Sequence, residues 1–287
     1  NFETANNFRP QPWGYGFENW GNDTYNDSTD FDAATLVRMF GSGVCLSGST
    51  AQECVLKASA ITWRQQQLAS VKGGHCYGMA VSSQRFFAEL DLTSSFQSGT
   101  AKTYDLDPTA SVRANISEMA RTQSLQPADG SDDGWIKNSK PSEILNLIRT
   151  QLRDVPNDPY LLAFFANGNG HATTPFAIED RGDGIFYLHM YDNNWPNKDR
   201  YLVFDTVNET WLYSFSATNP GEPVGAWSGN QGSLSLRPTS AHPRSGWACQ
   251  FCSSANVVNA SGGQAVGEIE VSLAGEGRLT AINAEKK

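Results

Sequence analysis

The first half of the chain carries apolar residues at intervals of three and four, the spacing that is typical of amphipathic helices. The earliest of these helices can be capped by Asp30 or Asp32 and is ended by Gly41. Another begins at Pro141, because proline suits the first helical position. The pattern predicts helices through Leu36–Phe40, over about residues 51–70, from Cys76 onwards, over residues 109–123 and from Pro141 to Leu152.

Beyond Asp154 the pattern changes to short apolar or alternating runs bounded by turn residues, which predict strands. These strands follow one another at hairpin spacing: Tyr160–Ala166, His171–Ile178, Ile185–Tyr191, Tyr201–Phe204 and Thr210–Phe215. Residues 216–241 are rich in Gly, Pro and Ser, and the last strand signals lie at Val266–Leu273 and Arg278–Ile282. This tail forms either a small β module or strands that complete the main sheet. A helical half before a β half predicts an α+β fold.

The composition is that of a folded, acidic protein. Its 287 residues are 39% hydrophobic and 18% charged, and the net charge is −9. Nucleic acids and anionic membrane surfaces attract clustered Lys and Arg, so this balance argues against both as partners. No apolar run approaches the roughly 20 residues that a membrane helix needs. The chain begins at Asn1 without a signal-peptide core, and we therefore expect a mature, processed protein.

The 5 cysteines divide into two close pairs and one residue without a neighbour. Cys45 with Cys54 and Cys249 with Cys252 are predicted disulfides, because close pairs in a chain with few charges point to an exported protein. A zinc site built from Cys249, Cys252 and His242 is the alternative, but it lacks a fourth ligand at the usual spacing. We expect neither a metal nor a cofactor.

The remaining cysteine, Cys76, follows a Gly73-Gly74 turn and opens a predicted helix. Unpaired N–H groups and the positive end of the helix dipole favour a thiolate at such a position. The ordinary alternative is a buried, unreactive thiol. The position at a helix N-terminus favours a nucleophile.

A thiolate nucleophile needs a base, and a third group must orient that base. Of the 4 histidines, His171 suits the role best, because it follows a Gly-rich turn and opens a predicted strand. The return strand of the same hairpin ends at Asp192, Asn193 and Asn194, and the length of the loop decides which of the three lies opposite His171. A carboxylate or an amide from this position can hold the imidazole.

The hairpin register leaves the orienting residue open. Pairing Ile178 with Phe186 matches the apolar faces of the two strands and places Asn193 opposite the histidine. Pro175 indicates a bulge, however, which shifts the register towards Asp192. A carboxylate also stabilises an imidazolium better than an amide does. Asp192 is therefore favoured, and Asn193 remains the alternative.

These motifs resemble those of the papain-like cysteine peptidase superfamily. The resemblance lies in Cys76-Tyr77 at the start of a helix, His171-Ala172 at the start of a strand and Asn193-Asn194-Trp195 after the next strand. It covers about residues 50–215. It implies a papain-like fold, in which a helical half with the nucleophile helix packs on an antiparallel β-sheet half. Bacterial relatives that use Cys, His and Asp resemble the version with Asp192.

The resemblance also implies a division of the chain. Residues 1–49 are expected to be an aromatic- and Gly-rich coil and short helix packed on the core, and residues 50–215 the catalytic domain. Residues 216–287 are then a Gly/Pro/Ser-rich connection and a C-terminal β segment. Papain-like enzymes place an oxyanion glutamine a few residues before the cysteine. The nearest glutamines here lie further upstream, and Gln67 is the candidate among them.

The sequence thus predicts a secreted, bacterial-type cysteine hydrolase that acts on a peptide or protein substrate. Cys76 would form an acyl-enzyme with His171 as general base. Acyl transfer to an amine, as in transglutaminase-like relatives, is a second reading, and a papain-like scaffold that serves as a non-catalytic binding or adhesion module is a third. The bond cleaved, the oligomeric state and the removal of a pro-segment are left open.

Overall fold

A computed structural model describes residues 2–21, 24–130, 138–214 and 225–252. The fold is mixed α+β, with a helical first half and a curled antiparallel sheet in the second half. The strands predicted at Val266–Leu273 and Arg278–Ile282 lie outside the described residues. In the described part of the chain, no helix is long and apolar enough to cross a membrane.

The helices follow the apolar pattern closely. Asp32 is the residue that caps the first long helix, and Gly41 ends it with a φ of +77°. The helix predicted over residues 51–70 begins only at Ala58, because the chain before it forms a short hairpin. The α-helices of the described residues are α1 (Pro10–Trp13), α2 (Asp27–Asp30), α3 (Ala33–Phe40), α4 (Ala58–Ser70), α5 (Cys76–Phe87), α6 (Ala110–Arg121) and α7 (Pro141–Asp154).

The strands build one large antiparallel sheet in the order β10-β4-β5-β6-β7-β8-β9, and β1 adds to β5. β9 and β10 lie beyond residue 215 and still belong to this sheet. A separate hairpin joins β2 to β3. The strands are β1 (Thr4–Ala5), β2 (Cys45–Ser47), β3 (Val55–Leu56), β4 (Tyr160–Ala166), β5 (Asn169–Asp180), β6 (Ile185–Tyr191), β7 (Asp199–Asp205), β8 (Thr210–Ser214), β9 (Ala226–Gly229) and β10 (Leu234–Pro238).

The alternation of side chains along β4 separates two apolar cores. Leu162 and Phe164 pack with the apolar stripe of α7. Leu161 and Ala163 point the other way and pack with α5 around Tyr77. The sheet is therefore covered by α7 on one face and by α5 on the other.

Helix α5 lies between the sheet and α6, and nearly all of its residues are buried. Gly78 permits this arrangement, because a Cβ at that position would lie 2.0 Å from the backbone oxygen of Ile116 in α6. The close approach fixes the start of α5, where Cys76 lies.

Both predicted disulfides, Cys45–Cys54 and Cys249–Cys252, are present, and Cys76 is a free thiol. The two disulfides pack into one apolar cluster that also contains residues of α3 and α4, such as Met39. Disulfides of this kind are typical of proteins that fold in an oxidising compartment.

Candidate active site

Cys76 is the first residue of α5 and follows a turn that only glycine can form. Gly74 has a φ of +150°, and a Cβ on it would lie 2.7 Å from the side-chain nitrogen of Asn19. The N–H groups of the first helical turn have no acceptor within the helix, and they give the cysteine a positive electrostatic environment.

His171 is brought to this helix end by β5. Its side chain forms a hydrogen bond with the side chain of Cys76. Its Nε2 lies 2.7 Å from Oδ1 of Asp192, which leaves Nδ1 for the thiol. The ring of Phe164 packs edge-on against the imidazole at a centroid distance of 5.5 Å. The ring is thus held between a carboxylate and an aromatic side chain.

Asp192 is fully buried and is itself held by two donors. The hydroxyl of Tyr213 in β8 donates to its Oδ2, and the backbone N–H of Asn194 donates to its Oδ1 at 2.9 Å. These contacts leave the carboxylate one orientation, in which it faces the imidazole.

The hairpin register that pairs Ile178 with Phe186 was wrong. Ile178 pairs with Leu188 and not with Phe186, although the bulge predicted near Pro175 is present. The last pair of the ladder is Thr174 with Tyr191, and its continuation would bring Asn194 opposite the histidine. Residues two apart on a strand share a face, so Asp192 reaches the ring diagonally.

Asn193 lies at the same site but has different partners. Its Nδ2 donates to the backbone oxygens of Cys76 at 3.0 Å and Ala172 at 2.9 Å. Asn193 therefore ties the start of α5 to β5, while Asp192 holds the imidazole.

The three side chains shift one another's pKa values. Burial opposes ionisation of Cys76, but the hydrogen bond and charge of His171 outweigh it and lower the pKa of the thiol. Burial likewise opposes the charged form of His171, yet Asp192 raises the pKa of the imidazole to about 10. The pKa of Asp192 is lowered, because the charge of His171 overcomes its burial. Each shift favours a thiolate next to an imidazolium.

The cysteine and the histidine lie in a cleft of about 830 Å³, which we call the Cys76 cleft. This volume is typical of sites for small molecules or short peptide segments. Its walls come from both halves of the chain and include Asn19, Trp20, Phe165, Asn169, Trp227 and Arg237.

A side-chain amide of the N-terminal segment also lies in the cleft. Asn19 lines the cleft, its Oδ1 accepts from the backbone N–H of His75 at 2.7 Å, and its Nδ2 donates to Asn194 at 3.0 Å. Gln67, the oxyanion candidate from the sequence, is not among the described residues that line the cleft. Its side-chain oxygen faces Ser124 at 3.5 Å.

The other histidines are held in structural contacts. His75 bonds to Asp27 and to the backbone oxygen of Trp20. His189 bonds to Asp199 and Glu179. Neither histidine is among the described residues that line the Cys76 cleft.

His242, which the sequence analysis considered as a zinc ligand, lies next to the site. Its Nε2 lies 2.8 Å from the hydroxyl of Tyr77, the neighbour of Cys76. Burial lowers the pKa of His242 to about 3, so the ring is neutral. Within the described ranges, no three His, Cys, Asp or Glu side chains are grouped for a metal ion. Cys249 and Cys252 offer no thiolate to zinc, because they form a disulfide.

No pattern in the sequence indicates Asn19 or Tyr213. Asn19 reaches the site through a contact with Asn194, 175 residues away, and Tyr213 through a contact with Asp192, 21 residues away, and neither belongs to a short motif. Comparison with protein-family models, with curated proteins and with solved structures finds no match to this chain.

Proposed function

We propose that this protein is a papain-like cysteine hydrolase that cleaves a peptide or amide bond. The observation that carries the proposal is the hydrogen-bonded series of Cys76, His171 and Asp192 at the start of a helix and the base of a cleft. A nucleophile, a base and a group that orients the base are what acyl transfer requires.

In the proposed reaction the thiolate of Cys76 attacks the carbonyl carbon, and a C–S bond forms. The imidazolium of His171 gives its proton to the leaving nitrogen as the C–N bond breaks, which leaves a thioester on the enzyme. Water then loses a proton to the neutral imidazole and attacks the thioester. The C–S bond breaks, and the acid product leaves.

The negative oxygen that forms during the attack needs hydrogen-bond donors. The backbone N–H of Cys76 is one, because it belongs to the first turn of α5. We assign the second to Nδ2 of Asn19, which lies in the same cleft next to the Gly74 turn. Asn19 thus takes the role that the sequence had suggested for Gln67.

The same first half of the reaction would also serve transfer of the acyl group to an amine. Water and an amine differ only in which nucleophile reaches the thioester. The two disulfides agree with a protein that works outside the cytoplasm, and we include secretion in the proposal.

The test compares the wild-type protein with Cys76→Ala on a library of fluorogenic peptide amides, with and without an added primary amine. We expect turnover that Cys76→Ala and His171→Ala both abolish, because nucleophile and base act as a unit. His189→Ala serves as the control, since this buried histidine lies outside the cleft, and thermal melting checks that each variant folds.

Mass spectrometry of the products separates the free acid from the amine adduct and so distinguishes hydrolysis from acyl transfer. The rate at which iodoacetamide alkylates Cys76 at neutral pH is a second readout, and it should exceed that of free cysteine. Two results together would argue for the non-catalytic binding module instead. The wild-type protein would cleave no member of the library, as Cys76→Ala does, and its thiol would react with iodoacetamide no faster than free cysteine.

A further inference from the structure

We propose that the Cys76 cleft binds a carboxylate group of the substrate at Arg237. The inference rests on the proposed function and adds to it a class of substrate. Among the described residues that line the cleft, Arg237 is the one with a fixed charge outside the cysteine–histidine pair, and none is acidic. A cleft with a single cationic wall selects for a negative group.

The register of the sheet places this charge near the reacting groups. Ser235 pairs with Ala163, which pairs with Ala172, so these residues form a row across β10, β4 and β5. Arg237 lies two positions further along β10, on the face that meets α5. Its Nη1 is 3.3 Å from the hydroxyl of Tyr77, the residue after the nucleophile.

The guanidinium is already held in place. Arg237 is 9% exposed, and its Nη1 donates to the backbone oxygen of Gln123 at 2.7 Å. An arginine that is fixed before binding loses little side-chain entropy when a carboxylate joins it, and its planar fork suits that group.

Asp129, the acid that the described residues place beside Arg237, competes only weakly. Asp129 lies 3.7 Å from Nη2 of Arg237, but its side chain is 54% exposed, so solvent screens the pair. A substrate carboxylate inside the cleft would be screened less. The net charge of −9 does not oppose this binding strongly, because charges beyond about 8 Å are largely screened at physiological salt.

The test uses matched substrate pairs. A peptide amide that the wild-type protein cleaves is varied with Glu or Gln at each position around the scissile bond, and with a free or an amidated C-terminus. These two arms distinguish an acidic side chain from a terminal carboxylate. At one position we expect kcat/KM to be about tenfold higher for the charged member, the usual size of a hydrogen-bonded charge pair.

Arg237→Met should lower this ratio to about one, and the ratio is the readout because it cancels any effect of the variant that both members of a pair share. Arg237→Lys should keep part of the preference, and Asp129→Asn should preserve or increase it. Arg181→Met, in the exposed turn between β5 and β6, is the control for net charge and should keep the full ratio. A purely structural arginine would instead change both members of each pair alike.

A ratio of about one at every position in the wild-type protein would overturn the inference, whether or not Arg237→Met folds. A wild-type ratio of kcat/KM between charged and uncharged substrates that is unchanged in Arg237→Met would also overturn it. The affinity of the same pairs for Cys76→Ala, followed by tryptophan fluorescence, tests carboxylate binding even without turnover, and equal affinities at all positions would also overturn it. Absence of cleavage alone contradicts the proposed function.

Discussion

At the scale of single residues, the charges of Cys76 and His171 depend on each other and on Asp192. The thiol is ionised above its lowered pKa, and the imidazole keeps its proton up to a pKa of about 10. The reactive pair of ions therefore exists between these two pKa values. Asp192 sets the upper limit, since its charge is the largest effect that raises the pKa of the histidine.

We predict that Asp192→Asn shifts the alkaline limb of activity to lower pH. In the wild-type protein, kcat/KM should rise as Cys76 ionises and fall as His171 loses its proton at high pH. An amide removes the negative charge, so the imidazolium loses its proton earlier. The measurement is kcat/KM against pH, with the rate of iodoacetamide alkylation as a probe that needs no substrate. An unchanged alkaline limb in Asp192→Asn would contradict the coupling.

A second prediction locates the oxyanion donor. Asn19→Ala should lower kcat by about 10²–10³-fold, the usual loss when one such donor is removed. Gln67→Ala, a side-chain amide of the same chemistry outside the cleft, should leave kcat within about twofold. Steady-state kinetics on one fluorogenic substrate measures both. If Gln67→Ala is the impaired variant, the assignment to Asn19 fails.

Sequence patterns indicate some residues of the site but not others. Cys76 and His171 each follow a glycine-rich turn and begin a regular element, so local patterns indicate them. Asp192 is indicated by its position at the end of the return strand. Asn19 is not indicated, because its contact with Asn194 joins residues 175 apart. Tyr213 is not indicated either, because its contact with Asp192 depends on the position of β8 in the folded sheet.

At the scale of elements, the tight contact between α5 and α6 controls where Cys76 lies. Gly78 has no room for a side chain, because the backbone oxygen of Ile116 occupies the position of its Cβ. Backbone atoms cannot move aside as the end of a flexible side chain can. The two helices would have to separate to accept even a methyl group.

We predict that Gly78→Ala destabilises the protein by about 1–3 kcal/mol or more, the usual cost of overpacking. It should also reduce activity, since the start of α5 moves. Gly73→Ala is the matched control, because nothing lies within 4 Å of its Cβ position. Urea unfolding measures both free energies. Equal stabilities for the two variants would show that the helices tolerate the added methyl group.

The elements themselves were largely predictable, because hydrophobic periodicity is a local property of the chain. The strands Tyr160–Ala166 and Ile185–Tyr191 have the predicted bounds. The register of β5 against β6 was not predictable, since the bulge and the sheet on both sides decide it. The helix over residues 51–70 was placed too early, because the disulfide hairpin uses its first residues.

At the scale of the whole molecule, a buried ionic network joins the N-terminal segment to the helices behind the site. Asp27 in α2 forms an ion pair with Arg121 and a hydrogen bond with the ring of His75. Ser117 donates to the same carboxylate at 2.5 Å. Burial opposes the charge of Asp27, but these partners outweigh it and lower its pKa to about 2.

We predict that this network makes the protein sensitive to acid. The unfolded chain binds a proton at Asp27 near pH 4 and the folded chain only near pH 2. The contribution of this group is therefore complete above pH 4 and is lost as the pH falls towards 2. Asp27→Asn should cost about 3–5 kcal/mol at neutral pH, because it leaves Arg121 buried without its countercharge.

Urea unfolding at neutral pH and at several acidic pH values tests this prediction. Asp27→Asn should also lose stability less steeply below pH 4 than the wild-type protein does. Asp154→Asn, an exposed carboxylate that pairs with a neighbouring arginine, should behave as the wild type. An Asp27→Asn variant with wild-type stability and acid slope would show that the network contributes little.

The overall arrangement of the chain was predictable only in outline. A helical half before a β half follows from the change in periodicity near Asp154. The return of β9 and β10 to the main sheet was one of two possibilities, because Gly- and Pro-rich sequence does not reveal its partner. The position of the N-terminal segment over the cleft depends on contacts such as that of Asn19 with Asn193.

The order in which the ribosome makes the chain decides when these contacts can form. Asn19 and Cys76 leave the ribosome well before His171, Asp192 and Tyr213, at rates of roughly 5–20 residues per second. Until the β half has emerged, the thiol lacks the imidazolium that lowers its pKa, and Asn19 lacks its partners near residue 193. The nascent chain therefore carries a cysteine of ordinary reactivity, and the activated thiol arises only after the β half has been synthesised.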